Sequence, residues 1–364
     1  MKIAMLSFRL PHAGPQKPGL MRGGVERVAH DLAHGLALRG HEVTVWSADE
    51  APQSSAYEVR RVPGAGLIHN WLGFRLVSGY LGNLLCLLPH YGNAQVIIAH
   101  GDSLLLPLLG VPVLRIMHGS ALDEALTSRS PWRVVLQLGV YLQEWLTAGT
   151  QLTVGVSRNT RNRYGGINRV IANGVNLAHF FPGEKTRHPT ILFVGNLGGR
   201  KRGRLLLDAF VHLIRPSIPE ARLWMVSEPG PPADGVSYLP GLSSEALAER
   251  YRQAWVFASP SCYEGFGLPY LEALASGTAV VATANVGSQE VLDSGRYGRL
   301  VHGDEEFPLA ILEMLRGPEL RARYTAGGLE RARQLSLDRT IDQYEQLLES
   351  IAVTTFPAQA RVWR

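Results

Sequence analysis

The sequence has few of the residues that several common protein classes require. Only two cysteines, Cys86 and Cys262, occur in 364 residues. Neither a disulfide framework nor a cysteine metal cluster is therefore possible, and a reducing compartment is expected. The longest apolar stretch, 71–89, is interrupted by Arg75 and Asn83. It therefore lacks the roughly 18 uncharged apolar residues that a membrane-spanning helix needs.

Motifs for metal, nucleophilic and redox chemistry are also missing. No Asp-x-Asp pair occurs, and His30 and His34, four residues apart, have no obvious third ligand. We therefore expect no metal. Neither a G-x-S-x-G elbow nor a recognisable context for a cysteine nucleophile is present. The first strand pattern is not followed by G-x-G-x-x-G, which weakens the case for a dinucleotide oxidoreductase. No cofactor is predicted.

The charge balance is mild. Lysine and arginine total 36 against 31 acidic residues, a net charge of +5, and only four of the bases are lysines. We find no basic helix and no basic patch interleaved with aromatic residues, so nucleic acid is not an expected partner. A weak peripheral contact with an anionic membrane surface stays open. The chain starts with a strand pattern rather than a targeting segment, so we expect a cytoplasmic protein.

Strand and helix patterns alternate twice along the chain. Residues 2–47 read as strand, helix and strand, which is a βαβ unit with a parallel sheet. A stretch rich in proline, glycine and charge, 179–189, has no periodicity, and βα alternation restarts beyond it. We therefore predict an α/β fold of two Rossmann-like domains, 1–182 and 183–337, with their ligand site at the carboxyl ends of the strands.

Individual elements follow from the same patterns. Further strands are predicted at 57–62, 95–99, 112–117, 151–157, 169–172, 190–195, 221–226, 255–258 and 278–283. Helices are predicted at 71–89, 131–146, 203–215, 243–253, 307–316, 319–334 and near 338–352, and the last of these can leave the second domain.

One stretch combines several features of a ligand site. Residues 261–272 read S-C-Y-E-G-F-G-L-P-Y-L-E and lie between a strand and a helix pattern. Gly265 and Gly267 let a ligand approach the backbone, and the helix start directs free N–H groups at it. Glu264 and Glu272 can therefore touch different parts of one ligand. The alternative is an ordinary βα turn with two solvated glutamates.

Three other segments fit the same interpretation. Gly23 and Gly24 begin the first helix and can approach phosphate or sugar oxygens, unless they only form a flexible loop. The segment 194–203, V-G-N-L-G-G-R-K-R-G, joins four glycines to three bases, and Arg204 follows as a fourth base. A diphosphate requires this combination; a solvated basic helix start is the alternative. His118 ends a strand of the first domain, where it is either a cleft residue or a structural histidine.

In order along the chain, these segments resemble the family 4 retaining glycosyltransferases, which have the GT-B fold. The segments are G-G-V-E (23–26), H-G (118–119), V-S-R-N-T (156–160), N-G-V-N (173–176), V-G-N-L-G-G-R-K (194–201) and the block 261–283 with its E-x7-E motif. The resemblance implies two facing domains with a deep cleft between them. It also implies a C-terminal helix, about 338–364, that crosses back to the first domain.

The resemblance also implies roles for the motif residues. Glu264 and His118 would contact the donor sugar, and Lys201 would hold the diphosphate. Glu272 would bind the ribose. The remaining donor-binding residues would be Gly23, Gly24, Gly265, Phe266, Gly267 and Leu268. Many members have an arginine where this sequence has Asn196, and Arg200 could supply that second cation instead.

The function implied is transfer of a hexose-type sugar from a UDP- or GDP-linked donor to a hydroxyl. The anomeric configuration would be retained and no metal used. The acceptor would be a carbohydrate, a lipid-linked molecule or a small metabolite. The acceptor would lie mainly against the first domain, where the loops 9–22, 63–73 and 119–132 carry no motif. Two alternatives are a sugar-nucleotide epimerase and a non-catalytic sugar-nucleotide binding protein.

Overall fold

A computed structural model describes residues 1–7, 9–11, 24–52, 55–62, 87, 91–101, 103–127, 130–149 and 151–359 of the chain, and the side chains of the last helix as far as residue 351. Gly23, the predicted 71–89 helix and most of the loops 9–22 and 63–73 lie outside these residues.

The first sheet has seven parallel strands in the order β3-β2-β1-β4-β5-β6-β7. They are β1 (Lys2–Leu6), β2 (Glu42–Ser47), β3 (Glu58–Arg61), β4 (Val96–His100), β5 (Val113–Met117), β6 (Leu152–Gly155) and β7 (Arg169–Val170). Its central strands are buried on both faces. Parallel sheets covered by helices on both sides need such continuous apolar runs, which is why the strands were readable from the sequence.

The second sheet has six parallel strands in the order β10-β9-β8-β11-β12-β13. They are β8 (Thr190–Val194), β9 (Arg222–Val226), β10 (Val236–Tyr238), β11 (Val256–Ser259), β12 (Ala279–Thr283) and β13 (Arg299–Val301). The short strands β10 and β13 were not predicted. Each has three residues at a sheet edge, too few for a visible alternation of apolar and polar residues.

Helices connect the strands of both sheets. They are α1 (Gly24–Leu38), α2 (Ala121–Thr127), α3 (Pro131–Ala148), α4 (Arg158–Arg163), α5 (Gly203–Ala209), α6 (Ser244–Gln253), α7 (Leu268–Ala275), α8 (Val286–Val291), α9 (Glu306–Arg316), α10 (Pro318–Gln334) and α11 (Leu337–Gln359). The α5 helix continues through a π-helical turn, Phe210–Ile214, and a last turn, Arg215–Ser217. A 3₁₀ turn, Leu106–Leu109, follows β4, and another, Gly199–Lys201, precedes α5.

The last helix packs on the first domain, as the resemblance implied. A Cβ atom on Gly35 of α1 would lie 2.1 Å from Cδ1 of Ile341, so glycine permits this close approach. Arg39 pairs with Glu345 at 2.7 Å, and the Thr340 hydroxyl donates to the carbonyl of Ala172. Buried residues of both domains also share one hydrophobic cluster. The carboxyl ends of the strands in both sheets border a shared cleft of about 2290 Å³.

Candidate active site

The stretch 261–272 folds as the sequence predicted. The loop follows β11 and ends where α7 begins at Leu268, with Pro269 in its first turn. Gly267 has a φ of 98°, and a Cβ there would lie 2.4 Å from the Tyr270 ring. Only glycine fits this left-handed position, which turns the chain from the loop into the helix. The N-terminus of α7 consequently borders the cleft.

Glu264 is buried and holds two cations. Its Oε1 lies 2.6 Å from Lys201 Nζ, and its Oε2 accepts a 2.8 Å hydrogen bond from Arg200 Nη1. The Ser261 hydroxyl donates to Oε1 at 2.8 Å. Burial raises the pKa of Glu264, but Lys201 and Arg200 outweigh burial and leave this pKa below its usual range. The carboxylate is therefore ionised, and it fixes both cations at the cleft.

The basic loop reaches Glu264 because of its glycines. A Cβ on Gly195 would lie 2.9 Å from Cγ of Lys201, so the lysine stem passes directly over that backbone. The N–H of Cys262 donates to the carbonyl of Arg200 at 2.9 Å and ties this loop to the glutamate loop. Asn196 is exposed at the cleft edge. Arg200, and not Asn196, thus lies beside Lys201.

Glu272 contacts the first domain. Its buried carboxylate lies 3.2 Å from Nη1 of Arg27, in the first turn of α1. The same guanidinium pairs with Asp31 at 3.7 Å and lies over the Phe180 ring, 5.0 Å from its centroid. No motif in the sequence pointed to Arg27. Its partner lies 245 positions away.

The two domains approach each other most closely at glycines. A Cβ on Gly265 would lie 2.4 Å from the carbonyl oxygen of His118, and one on Gly119 would lie 2.9 Å from the Tyr263 hydroxyl. That hydroxyl accepts a 3.1 Å hydrogen bond from the N–H of Ser120. A Cβ on Gly24 would lie 3.2 Å from Cδ1 of Leu268. The predicted residues of both domains are thus brought together, apart from Gly23, which the structure does not describe.

Phe266 lies between two glycines and packs into the protein core. Its side chain is buried in the hydrophobic cluster that contains residues of both domains. A Cβ on Gly287 of α8 would lie 2.7 Å from the Phe266 carbonyl oxygen, so this part of the loop is closely backed. Any contact of Phe266 with a donor would therefore use its backbone, as the resemblance implied.

His118 lies next to a second histidine that the motifs did not predict. Its Nε2 lies 2.8 Å from Nδ1 of His100, and the two rings stack with centroids 5.1 Å apart. Burial lowers the pKa of His118 to about 4, and burial and His118 hold the pKa of His100 well below its usual range. The pair is therefore uncharged at neutral pH.

The first-domain wall beyond His118 is polar. Glu124 accepts a 3.0 Å hydrogen bond from Gln137 Nε2, and both residues border the cleft with Arg133. Burial lowers the pKa of Arg200, but Glu264 and, across the cleft, Glu124 raise it above its usual value. Glu124 thus lies within electrostatic reach of the cluster formed by Glu264, Lys201 and Arg200.

The described part of the chain lacks two further features. No three histidine, cysteine, aspartate or glutamate side chains there converge as a metal site would need. Among the helices that are described, none has the length and apolar character to cross a bilayer.

Curated relatives with similar sequences are sugar transferases. The D-inositol 3-phosphate glycosyltransferase of Geodermatophilus obscurus is 32% identical over 52% of this chain and 49% of that protein. This chain therefore spans about half the length of that relative. The protein of the same name from Nocardioides sp. is 28% identical over 94% of this chain and 88% of its own length. The phosphatidyl-myo-inositol mannosyltransferase of Mycobacterium leprae is 29% identical over 50% of this chain and 54% of its own.

Solved structures show the same architecture. Sucrose-phosphate synthase from Thermosynechococcus elongatus superposes with a TM-score of 0.79 at 21% identity, over 97% of this chain and 100% of that one. The Anabaena protein HepE, solved in complex with UDP and glucose, superposes with a TM-score of 0.68 at 16% identity, over 96% of this chain and 100% of that one. The predicted GT-B arrangement of two facing α/β domains is thereby confirmed.

Two family models match the two halves of the chain. Glycosyltransferase Family 4 matches residues 22–179, and Glycosyl transferases group 1 matches residues 188–317. The matches leave out the segment 180–187, which lies between the two sheets. The chain therefore combines a glycosyltransferase family 4 domain with a glycosyl transferases group 1 domain.

Proposed function

We propose that this glycosyltransferase moves a hexose from a nucleoside-diphosphate donor to an acceptor hydroxyl, with retention of configuration and without a metal ion. The observation that carries the proposal is the convergence of Lys201 and Arg200 on Glu264. Two fixed cations beside a helix N-terminus suit a diphosphate leaving group, whose negative charge grows as the sugar departs. A divalent cation supplies the same charge in other transferases.

In the proposed reaction the acceptor oxygen attacks the anomeric carbon from the face that the diphosphate leaves. The bond from that carbon to the diphosphate oxygen breaks, and the acceptor proton passes to a donor phosphate oxygen. Lys201, Arg200 and the positive end of the α7 dipole stabilise the departing diphosphate. The ionised Glu264 holds the cations and accepts hydrogen bonds from donor sugar hydroxyls. No side chain is needed as a nucleophile.

The nucleotide would lie against the second domain. Glu272 would accept hydrogen bonds from the two ribose hydroxyls. Its side chain, in the middle of α7, is largely buried but borders the cleft. Arg27 pairs with one of its oxygens. Binding would therefore separate this pair, or share the carboxylate between the guanidinium and the ribose.

The acceptor would lie between His118 and the wall formed by Glu124, Arg133 and Gln137. Such a wall offers hydrogen bonds to a hydroxyl-rich molecule. The relatives' names include an inositol phosphate and a phosphatidylinositol as acceptors. We therefore propose a polyol or sugar hydroxyl as the acceptor, in free, phosphorylated or lipid-linked form.

A donor screen tests the proposal. The protein is titrated with UDP-, GDP- and dTDP-linked hexoses, and each donor that binds is incubated with myo-inositol, inositol 3-phosphate, hexose 6-phosphates and phosphatidylinositol vesicles. Formation of a glycosylated acceptor in the presence of EDTA supports the proposal. Conversion of a donor into its epimer without an acceptor, or tight donor binding with neither transfer nor hydrolysis, would replace it with one of the two alternatives.

A further inference from the structure

His100 lies where the sheet brings it against His118. Strands β4 and β5 are parallel neighbours, and His100 pairs in register with Ile116. Side chains two residues apart on a strand point to the same face, so His118 follows Ile116 on the side of His100. The result is the 2.8 Å contact between His100 Nδ1 and His118 Nε2. Both rings border the cleft.

The outer nitrogen of each ring is buried and has no hydrogen-bond partner among the described residues. These atoms are Nε2 of His100 and Nδ1 of His118. A buried polar atom without a partner is unfavourable, and native proteins rarely keep one unless a ligand or water satisfies it. An uncharged imidazole carries a single proton, on one of its two nitrogens. One proton therefore lies between the rings, and one lies on an outer nitrogen.

This arrangement links the two tautomers. If His100 Nδ1 donates to His118 Nε2, the proton of His118 is on Nδ1, and His100 Nε2 is bare. If His118 Nε2 donates instead, the proton of His100 is on Nε2, and His118 Nδ1 is bare. Both rings therefore have the same tautomer in either case. The two outer nitrogens of the pair therefore always comprise one N–H donor and one bare acceptor.

We propose that His100 is a positioning residue for His118, and that the stacked pair binds donor-sugar hydroxyls as one unit with one donor and one acceptor. The inference rests on the proposed function, because it assumes that the sugar of a nucleotide donor lies at His118. His100 contacts His118 but belongs to none of the glycosyltransferase motifs identified in the sequence. The hydrogen bond fixes the ring orientation and the tautomer of His118 before the donor arrives.

Two substitutions at position 100 separate the hydrogen bond from ring packing. His100→Phe keeps a planar ring but has no nitrogen. His100→Asn loses the ring, but its side-chain amide lies near the position of Nδ1 and can still bond to His118 Nε2. If positioning matters, H100F raises KM for the nucleotide-sugar about tenfold, and H100N stays within about threefold of wild type. The exposed His212→Phe is the control, and thermal unfolding shows that each variant is folded.

Two further measurements, one of binding and one by NMR, distinguish a positioning role of His100 from a merely structural role. Kd for the nucleoside diphosphate without sugar should be unchanged in H100F, since the pair contacts only the sugar. In ¹⁵N-labelled wild type, NMR of the ring nitrogens should report the same single tautomer for His100 and His118. In H100F the His118 nitrogens should show a mixture of tautomers.

Several results would overturn the inference. They are opposite tautomers on the two wild-type rings, an H100N variant as impaired as H100F, or an equal loss of affinity for the free nucleoside diphosphate and the nucleotide-sugar in H100F. An unchanged donor KM in H100F would also overturn it. Failure of the proposed function gives a different result: wild type would transfer sugar from none of the donors, whatever the tautomers of the two rings.

Discussion

The two walls of the cleft differ in how their residues are held. On the second-domain side, Glu264, Lys201 and Arg200 form a compact ionic cluster from two loops that each join a strand to a helix. On the first-domain side, a neutral histidine pair and closely packed glycines face that cluster. We propose that this difference reflects a division of work. One wall would supply fixed charge for a diphosphate, and the other would supply shape and neutral hydrogen bonds for the sugar.

Loss of Lys201 is expected to have the largest effect. Lys201→Ala should lower kcat by roughly 10²–10³, the scale for removing one charge contact made in a transition state. It also leaves the buried Glu264 with a single cation. Steady-state kinetics on the nucleotide-sugar measures this effect. Lys2→Ala is the matched control, because Lys2 also pairs with a carboxylate but does so on the exposed surface. A K201A variant with wild-type kcat would remove the charge role from this wall.

An alanine at Gly265, where the two walls approach each other closely, tests whether their close fit is needed for catalysis. Gly265→Ala would place its Cβ against the rigid His118 carbonyl, at 2.4 Å in the unrelaxed geometry. We expect kcat to fall about 100-fold, because small displacements of aligned groups cost that much. Gly165→Ala is the matched control, because a Cβ there would meet no atom within 4 Å. A G265A variant with wild-type kcat would mean that the domains do not need this contact.

The second-domain wall was more predictable from the sequence than the first-domain wall. Glu264, Gly265, Gly267 and Glu272 lie within nine residues, so their spacing along the chain reflects their spacing in the fold. Lys201 and Arg200 were predicted because four bases follow glycines at a helix start. The sequence also predicted the strands bordering both loops, since buried parallel strands are continuous apolar runs.

The first-domain contacts could not be predicted in this way. His100 and His118 meet only because β4 and β5 are neighbours in the sheet, and the order of strands is a tertiary property. The partner of Arg27 is in the other domain. Helices α2, α4 and α8 have seven or fewer residues, too few for a clear 3.6-residue periodicity, and they were missed.

Acid should destabilise the first domain through its buried histidines. Burial lowers the pKa of His30 and of His118 from 6.5 to about 4. Between these two pH values the unfolded chain binds more protons, so the free energy of unfolding falls as pH falls and levels off below pH 4. Each histidine should contribute roughly 3 kcal/mol over this range. Urea unfolding of wild type and His30→Phe isolates the share of His30, and parallel pH curves would contradict the prediction.

Removal of Glu272 should affect binding more than chemistry. Glu272→Ala loses two hydrogen bonds to the ribose, so Kd for the nucleoside diphosphate should rise by about 10-fold, while kcat changes by less than about threefold. Calorimetric titration measures the first quantity and saturating kinetics the second. A larger effect on kcat than on Kd would move Glu272 from the nucleotide to the reacting sugar.

Arg27→Ala should give the smallest change, and in the opposite direction. The guanidinium competes with the ribose for Glu272, so its removal should leave nucleotide affinity unchanged or tighten it by about two- to threefold. The same titration measures this effect. If R27A instead weakens nucleotide binding strongly, Arg27 itself contacts the nucleotide, and the first-domain wall also supplies charge.

The central claim is that Lys201 and Arg200, held by Glu264, take the place of a metal ion in a transfer that retains configuration. A proton NMR time course of the wild-type reaction with EDTA tests this claim most directly, because the coupling constant of the new anomeric proton reports configuration as the product forms. We predict an undiminished rate and a product with the donor's anomeric configuration. Transfer that stops in EDTA and resumes with Mg²⁺, or a product with inverted configuration, would contradict the account.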